Sequence, residues 1–158
     1  MSVAVRRRFA VLANPAWVCF VWFGMTAGIS LLATPVRFGA PLMTREVGLD
    51  VARVVFSALN RAELVALVLL LIVIRLSGRA ARWWAVGGVL TLIVLAQSAW
   101  LLPELAARTE LVVSGIEPPP SHLHATYSVL ELGKLGILLM AGFAALAEGR
   151  AGPTSVAD

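Results

Sequence analysis

The chain has 158 residues, 59% of them hydrophobic and 14% charged, and a mean hydropathy of +0.88. Soluble domains are about 45 to 50% apolar, so this composition excludes an ordinary soluble domain and leaves too little chain outside the apolar stretches for a separate catalytic module. The net charge of +4 comes from 13 basic and 9 acidic residues, but the basic ones gather at the ends of the apolar stretches, where membrane topology explains them and nucleic-acid binding does not.

The fold class expected is all-α: a polytopic membrane protein of four transmembrane helices in an up-down bundle over residues 1–148, with spans at about 15–34, 50–76, 82–103 and 122–147 and a flexible tail at 149–158. Asn14 suits the cap of the first span and Pro15 its first turn, and Thr34-Pro35 supplies a stop. Arg6, Arg7 and Arg8 resemble the basic region of a signal peptide, yet the apolar stretch is long and no small-x-small cleavage site follows, so an uncleaved first helix is expected. Cys19 lies alone in this span and reads as a small core residue. Gly24 and Gly28 form a small-xxx-small pair, expected to pack inside the bundle.

The second span centres on the apolar run Leu64 to Ile74, with helical pattern reaching back to a cap at Asp50. Such a helix would be about 40 Å long against a hydrocarbon core of about 30 Å. The third span runs from Trp83 to Leu102; Pro103 is expected to kink it, because Glu104 to Val113 keeps helical character. The fourth follows the stiff Pro118-Pro119-Pro120 run and a cap at Ser121. Trp83 and Trp84 suit one interfacial belt, Trp100 and Tyr127 the other.

With both termini on one side, that side carries seven basic and two acidic residues, and the opposite side four basic and five acidic. The positive-inside rule then places both termini in the cytoplasm, with the chain in the cell inner membrane. Twelve of the thirteen basic residues are Arg and only Lys134 is Lys, a usage that fits a GC-rich bacterial genome.

Charges within the spans are the most informative feature, because each costs about 2.5 to 3.5 kcal/mol at the bilayer centre and so marks a cavity or a buried partner. Counting about 1.5 Å per residue from the cytoplasmic ends puts Arg61, Glu63, Gln97, Glu131 and Lys134 in one layer about 18 to 25 Å deep. His124, Tyr127, Glu131 and Lys134 share one helical stripe, and Arg53, Ser57, Asn60 and Glu63 share another, with Arg61 at its edge. Facing stripes would pair Arg61 or Arg53 with Glu131, and Lys134 with Glu63. The candidate ligand-binding residues are therefore Arg53, Asn60, Arg61, Glu63, Gln97, His124, Tyr127, Glu131 and Lys134, arranged either as a structural network or as a polar pocket open to the outer side. His122 and His124 offer a weak metal site, since neighbours two apart diverge on a helix and no Cys or third His accompanies them. No cofactor or catalytic motif is present.

The runs Thr34-Pro35-Val36-Arg37-Phe38, Gly48 to Phe56 and Leu59-Asn60-Arg61-Ala62-Glu63, with Trp100-Leu101-Leu102-Pro103 and the His124, Tyr127-Ser128 entry to the last span, resemble the TMEM205-like or DUF4149 membrane family. Glu131 and Lys134 depart from its pattern. The resemblance implies a four-helix membrane protein with an extended second helix, and no catalytic residues. Three functions remain open: a non-enzymatic accessory or small-ligand-binding bundle; a small oligomeric transporter or channel; a membrane redox or metal enzyme using His122, His124 and Glu131. The partners implied are the lipid bilayer and either a second copy or another membrane subunit.

Overall fold

The computed structural model describes residues 14–150; Arg6, Arg7, Arg8 and the 151–158 part of the expected tail lie outside the described residues. Among the described residues four helices are long and apolar enough to cross a membrane: α1 (Ala16–Arg37), α2 (Arg45–Ser77), α3 (Ala81–Val113) and α4 (Leu123–Arg150). At 1.5 Å per residue they are about 33 to 50 Å long. The segments 38–44, 78–80 and 114–122 join them, so neighbours run antiparallel. One end of the bundle, here the terminal end, gathers Asn14, Arg79 and Glu148; the far end gathers Arg45 and Glu117.

Helix ends follow local chemistry. Asn14 accepts the Ala16 N–H on Oδ1 at 2.9 Å and donates to the Ala145 carbonyl at 3.2 Å, capping α1 while pinning it to α4. Helix α2 begins five residues before the expected Asp50, because Thr44 accepts the Val47 N–H and serves as its cap. It ends at Gly78, whose φ of 59° is the left-handed stop that glycine takes without strain. Gly115, with φ 78°, ends α3 in the same way, and Ile116 donates back to the Leu111 carbonyl in the double-bonded arrangement of a Schellman turn. Helix α4 starts at Leu123 and continues through Gly149 and Arg150, which were expected in the tail.

Two prolines do not stop their helices. The expected stop at Thr34-Pro35 is overturned, since α1 continues to Arg37, and α3 passes through Pro103 without ending. Both are preceded by a π-helical turn, Gly28–Ala33 and Gln97–Leu101, closed by bonds from Thr34 N–H to the Ile29 carbonyl and from Leu102 N–H to the Gln97 carbonyl. A proline has no N–H and its ring crowds the carbonyl four residues back. The wider turn ahead of it absorbs that conflict, and Thr34 Oγ1 adds a second bond to Ile29 at 2.8 Å.

The apolar core occupies the half nearer the terminal end, where Trp22, Leu70, Ile74, Leu90, Val94 and Leu138 are sealed from solvent. On α2 the buried positions Leu59, Glu63, Leu67, Leu70 and Ile74 recur every three or four residues, a single inward stripe. The outward faces are also apolar: Val21, Leu32, Leu92, Met140 and Phe143 are each 60% or more exposed. Cys19 is buried in the core. Gly24 and Gly28 face open space, so the expected close packing is not there; helices instead approach at Gly142, where an added Cβ would lie 2.7 Å from the Phe20 ring. Trp83 and Tyr127 are buried, unlike the belt residues expected, whereas Trp84 and Trp100 are exposed. Trp83 donates to both Glu148 oxygens at 3.2 Å, and Arg79 and Arg82 pair with the same carboxylate.

Candidate binding cavity and the buried charge network

Midway along the bundle, all four helices send polar side chains to one point. Helix α4 supplies Glu131 and Lys134, three residues apart and therefore on one face; α2 supplies Glu63, α3 Gln97, and α1 Trp22, Thr26 and Ser30. Lys134 Nζ meets Glu63 Oε1 at 2.6 Å, Glu131 Oε2 at 2.8 Å and Gln97 Oε1 at 2.8 Å, which uses all three of its protons. Gln97 Nε2 donates to Glu131 Oε2 at 2.8 Å, and Ser30 Oγ donates to Glu131 Oε1 at 2.7 Å. Trp22 Nε1 and Thr26 Oγ1 donate to Glu63 Oε1 at 3.0 and 2.9 Å. The two π turns thus carry the side chains that flank Glu131, Ser30 from α1 and Gln97 from α3.

This network is closed. Glu63, Gln97 and Lys134 are 0% exposed and Glu131 is 3% exposed. It holds two acids and one base, and Glu63 Oε2 is buried without a hydrogen-bond partner among the described residues. Apart from that oxygen the members hold one another through Lys134, and in low dielectric an ion pair that loses one member leaves an uncompensated charge.

Beyond the network, toward the far end, lies a cavity of about 600 Å³ lined from all four helices. Thr34 and Arg37 come from α1, Arg53, Ser57, Asn60 and Arg61 from α2, Ser98 and Thr109 from α3, and His124 and Tyr127 from α4. Leu49, Phe56, Leu102 and Leu105 give it apolar walls. Asn60 Nδ2 donates to Ser98 Oγ at 2.8 Å, and Phe56 meets Tyr127 edge to face at 5.6 Å. Beside the cavity, Arg45 forms a two-pronged pair with Glu117 at 3.0 and 3.1 Å, tying α2 to the Pro-rich segment, and Arg108 donates to the Pro119 carbonyl. The bond from Arg45, and after it the nearby positive charge, hold the Glu117 carboxyl below the usual carboxylate range.

The nine residues singled out from the sequence therefore separate by depth into two sites. Glu63, Gln97, Glu131 and Lys134 form the closed network; Arg53, Asn60, Arg61, His124 and Tyr127 line the cavity above it. The expected pairing of Lys134 with Glu63 is present, but neither Arg53 nor Arg61 pairs with Glu131. Arg53 is taken by Asp50, one turn away on its own helix, at 2.6 Å. Arg61 projects from a different face of α2 than Glu63, two residues on, and has no ion-pair partner among the described residues. Sequence reasoning missed Trp22, Thr26 and Ser30, whose spacing of four was itself a legible polar stripe in the first span, and Arg37, which entered only through the family resemblance.

Glu131 is committed to Lys134, Gln97 and Ser30, and among the described residues no three His, Cys, Asp or Glu side chains come together as a metal-ion group. The set His122, His124 and Glu131 thus does not assemble. No known family model matches the chain, and no curated protein or solved structure proved similar to it.

Proposed function

We propose that this chain is a non-enzymatic multi-pass protein of a bacterial inner membrane, a four-helix accessory bundle that binds a small ligand in its far-end cavity. The observation that carries the reading is the cavity itself: about 600 Å³, polar and apolar by turns, and floored by a charge network sealed from it. That size and that mixture suit a ligand oriented by a few polar groups. Membrane residence is supported by the apolar outward faces, since soluble proteins rarely expose large contiguous apolar surface. The resemblance to the TMEM205-like family belongs to the same proposal and brings no residue roles with it.

Native mass spectrometry of the protein extracted from membranes tests the binding reading. A retained small molecule is expected, and Ala106→Trp, which fills the cavity, should abolish it; a chain that never carries an adduct overturns the reading. In the proposed orientation both termini and the 78–80 turn are cytoplasmic. With Cys19 replaced by Ala, Ile116→Cys should react with an impermeant thiol reagent from outside and Ala80→Cys only from inside.

One observation favours a second reading, transport: the cavity and the charge network are stacked along the bundle axis, with Tyr127 lining the cavity one turn from Glu131. Flux through proteoliposomes, abolished by Glu63→Gln, supports this reading; its absence leaves binding alone.

A further inference from the structure

We infer that the ligand of the far-end cavity is a phosphate-bearing amphiphile, an anionic lipid whose phosphate engages Arg37 and Arg61 and whose chain lies along Phe56, Leu102 and Leu105. The inference rests on reading the cavity as a binding site. Charge is its first support. Arg37, Arg53, Arg61 and His124 line the cavity, and among the described residues no carboxylate does. Of the three guanidiniums only Arg53 has an acid partner among the described residues, Asp50. Arg37 has none among the described residues, and its Nε is buried without a hydrogen-bond acceptor.

Position is the second support. Arg61 is the central residue of α2, which begins at Arg45 and ends at Ser77, so it lies about 24 Å from either end. A guanidinium at that depth in an apolar helix requires water or an anion to meet its charge. Its planar fork matches two phosphate oxygens, a geometry that an ammonium lacks. The apolar wall is the third support. Inorganic phosphate leaves Phe56, Leu102 and Leu105 unused, whereas an acyl chain covers them. A volume of about 600 Å³ falls within the range of small-ligand sites, about 300 to 1,000 Å³.

The test uses the full chain in neutral detergent, with three probes: lysophosphatidic acid, a monoacylglycerol of the same chain length, and inorganic phosphate. Lysophosphatidic acid should raise the melting temperature and appear as a retained adduct in native mass spectra. Arg37→Gln and Arg61→Gln should each weaken its binding about tenfold, and Arg75→Gln, on the other half of α2, should leave it intact. If Arg37→Gln does not fold, Arg37→Lys replaces it: charge is kept, the fork is lost, and a smaller loss of affinity is expected. Monoacylglycerol binding as tightly, indifferent to both Arg variants, overturns the anionic class while the cavity remains a site. Inorganic phosphate competing as well as the lipid overturns the amphiphile. Failure of all three probes, with Ala106→Trp behaving as the unaltered chain, overturns the cavity reading together with this one.

Discussion

The two halves of the bundle solve opposite problems with the same four helices. Toward the terminal end, Trp22, Leu70, Ile74, Leu90, Val94 and Leu138 close the interior, and a polar knot of Glu63, Gln97, Glu131 and Lys134 is sealed at its upper edge. Toward the far end few apolar side chains are fully buried, among them Leu59 and Leu101, and the space between helices is an open-mouthed cavity. Charge follows the same division. Below, every formal charge of the network has a partner; above, Arg37 and Arg61 have no acid partner among the described residues. Buried charge used as internal glue is satisfied from within the chain, while charge set around a cavity leaves bonding capacity for something else.

The sharpest way to break this contrast is to remove the ammonium at the centre of the lower half. Lys134→Met leaves Glu63 and Glu131 facing each other without a cation, and should destabilise the protein by about 3 to 5 kcal/mol, read as a large fall in melting temperature in detergent. Glu63→Gln and Glu131→Gln each leave one acid to one ammonium and should cost less, about 1 to 3 kcal/mol. An equal or greater loss in either variant would mean that Lys134 is not the hub. Arg61→Gln and Arg53→Gln should rescue neither, their effects adding to within about 0.5 kcal/mol.

Gln97 sharpens the same comparison. Its amide bonds both Glu131 and Lys134, so Gln97→Leu strands one ammonium proton and leaves Glu131 Oε2 with Lys134 alone, for about 1 to 3 kcal/mol. Asn60→Leu, in the upper half, breaks one bond to a half-buried hydroxyl and should cost less than about 1 kcal/mol. If the two losses prove equal by thermal melting, the distinction between a sealed and an open half fails.

Four helices, their antiparallel order and the inward face of each charged span were legible in the sequence, because apolar length and a period near 3.6 are local properties. The meeting of Lys134 with Glu63 was legible too, as both were placed by depth and stripe. What stayed hidden depended on longer-range or subtler geometry. Thr34-Pro35 reads as a stop unless the π turn ahead of it is known, and that turn has no sequence signature of its own. Arg61 looked like Glu131's partner because it shares Glu131's depth and sits at the edge of the facing stripe, yet a turn of about 200° separates it from Glu63, the residue of α2 that reaches the network. The separation of one polar layer into network and cavity was beyond reach, since it is set by how far the helices stand apart.

Glycines give a smaller test. Gly24 and Gly28 face open space, so Gly24→Ala and Gly28→Ala should each stabilise α1 by about 0.5 to 1 kcal/mol through backbone entropy alone. Gly142→Ala meets the Phe20 ring, which itself packs edge to face on Phe143 at 5.3 Å, and should not show this gain. A loss of stability at Gly24 or Gly28 would reveal a partner helix on that face.

The smallest expected effect is at the rim. Arg45 and Glu117 pair in full solvent, with side chains 59% and 72% exposed, so the pair anchors the Pro-rich segment beside the cavity without adding much to global stability. Hydrogen bonding and charge from Arg45 lower the Glu117 carboxyl in the folded chain relative to the unfolded one. The pair's contribution is therefore present above the ordinary carboxylate value, complete at neutral pH, and lost as the pH falls through the lowered folded value. A carbon-detected NMR titration of Glu117 should show its midpoint below that of a free glutamate, moving upward in Arg45→Ala and with added salt. The same variant should leave the melting temperature nearly unchanged while amide exchange in 114–122 quickens. If the midpoint does not move, Glu117 is not held by Arg45, and the far end owes its shape to Arg108 and the Pro119 carbonyl instead.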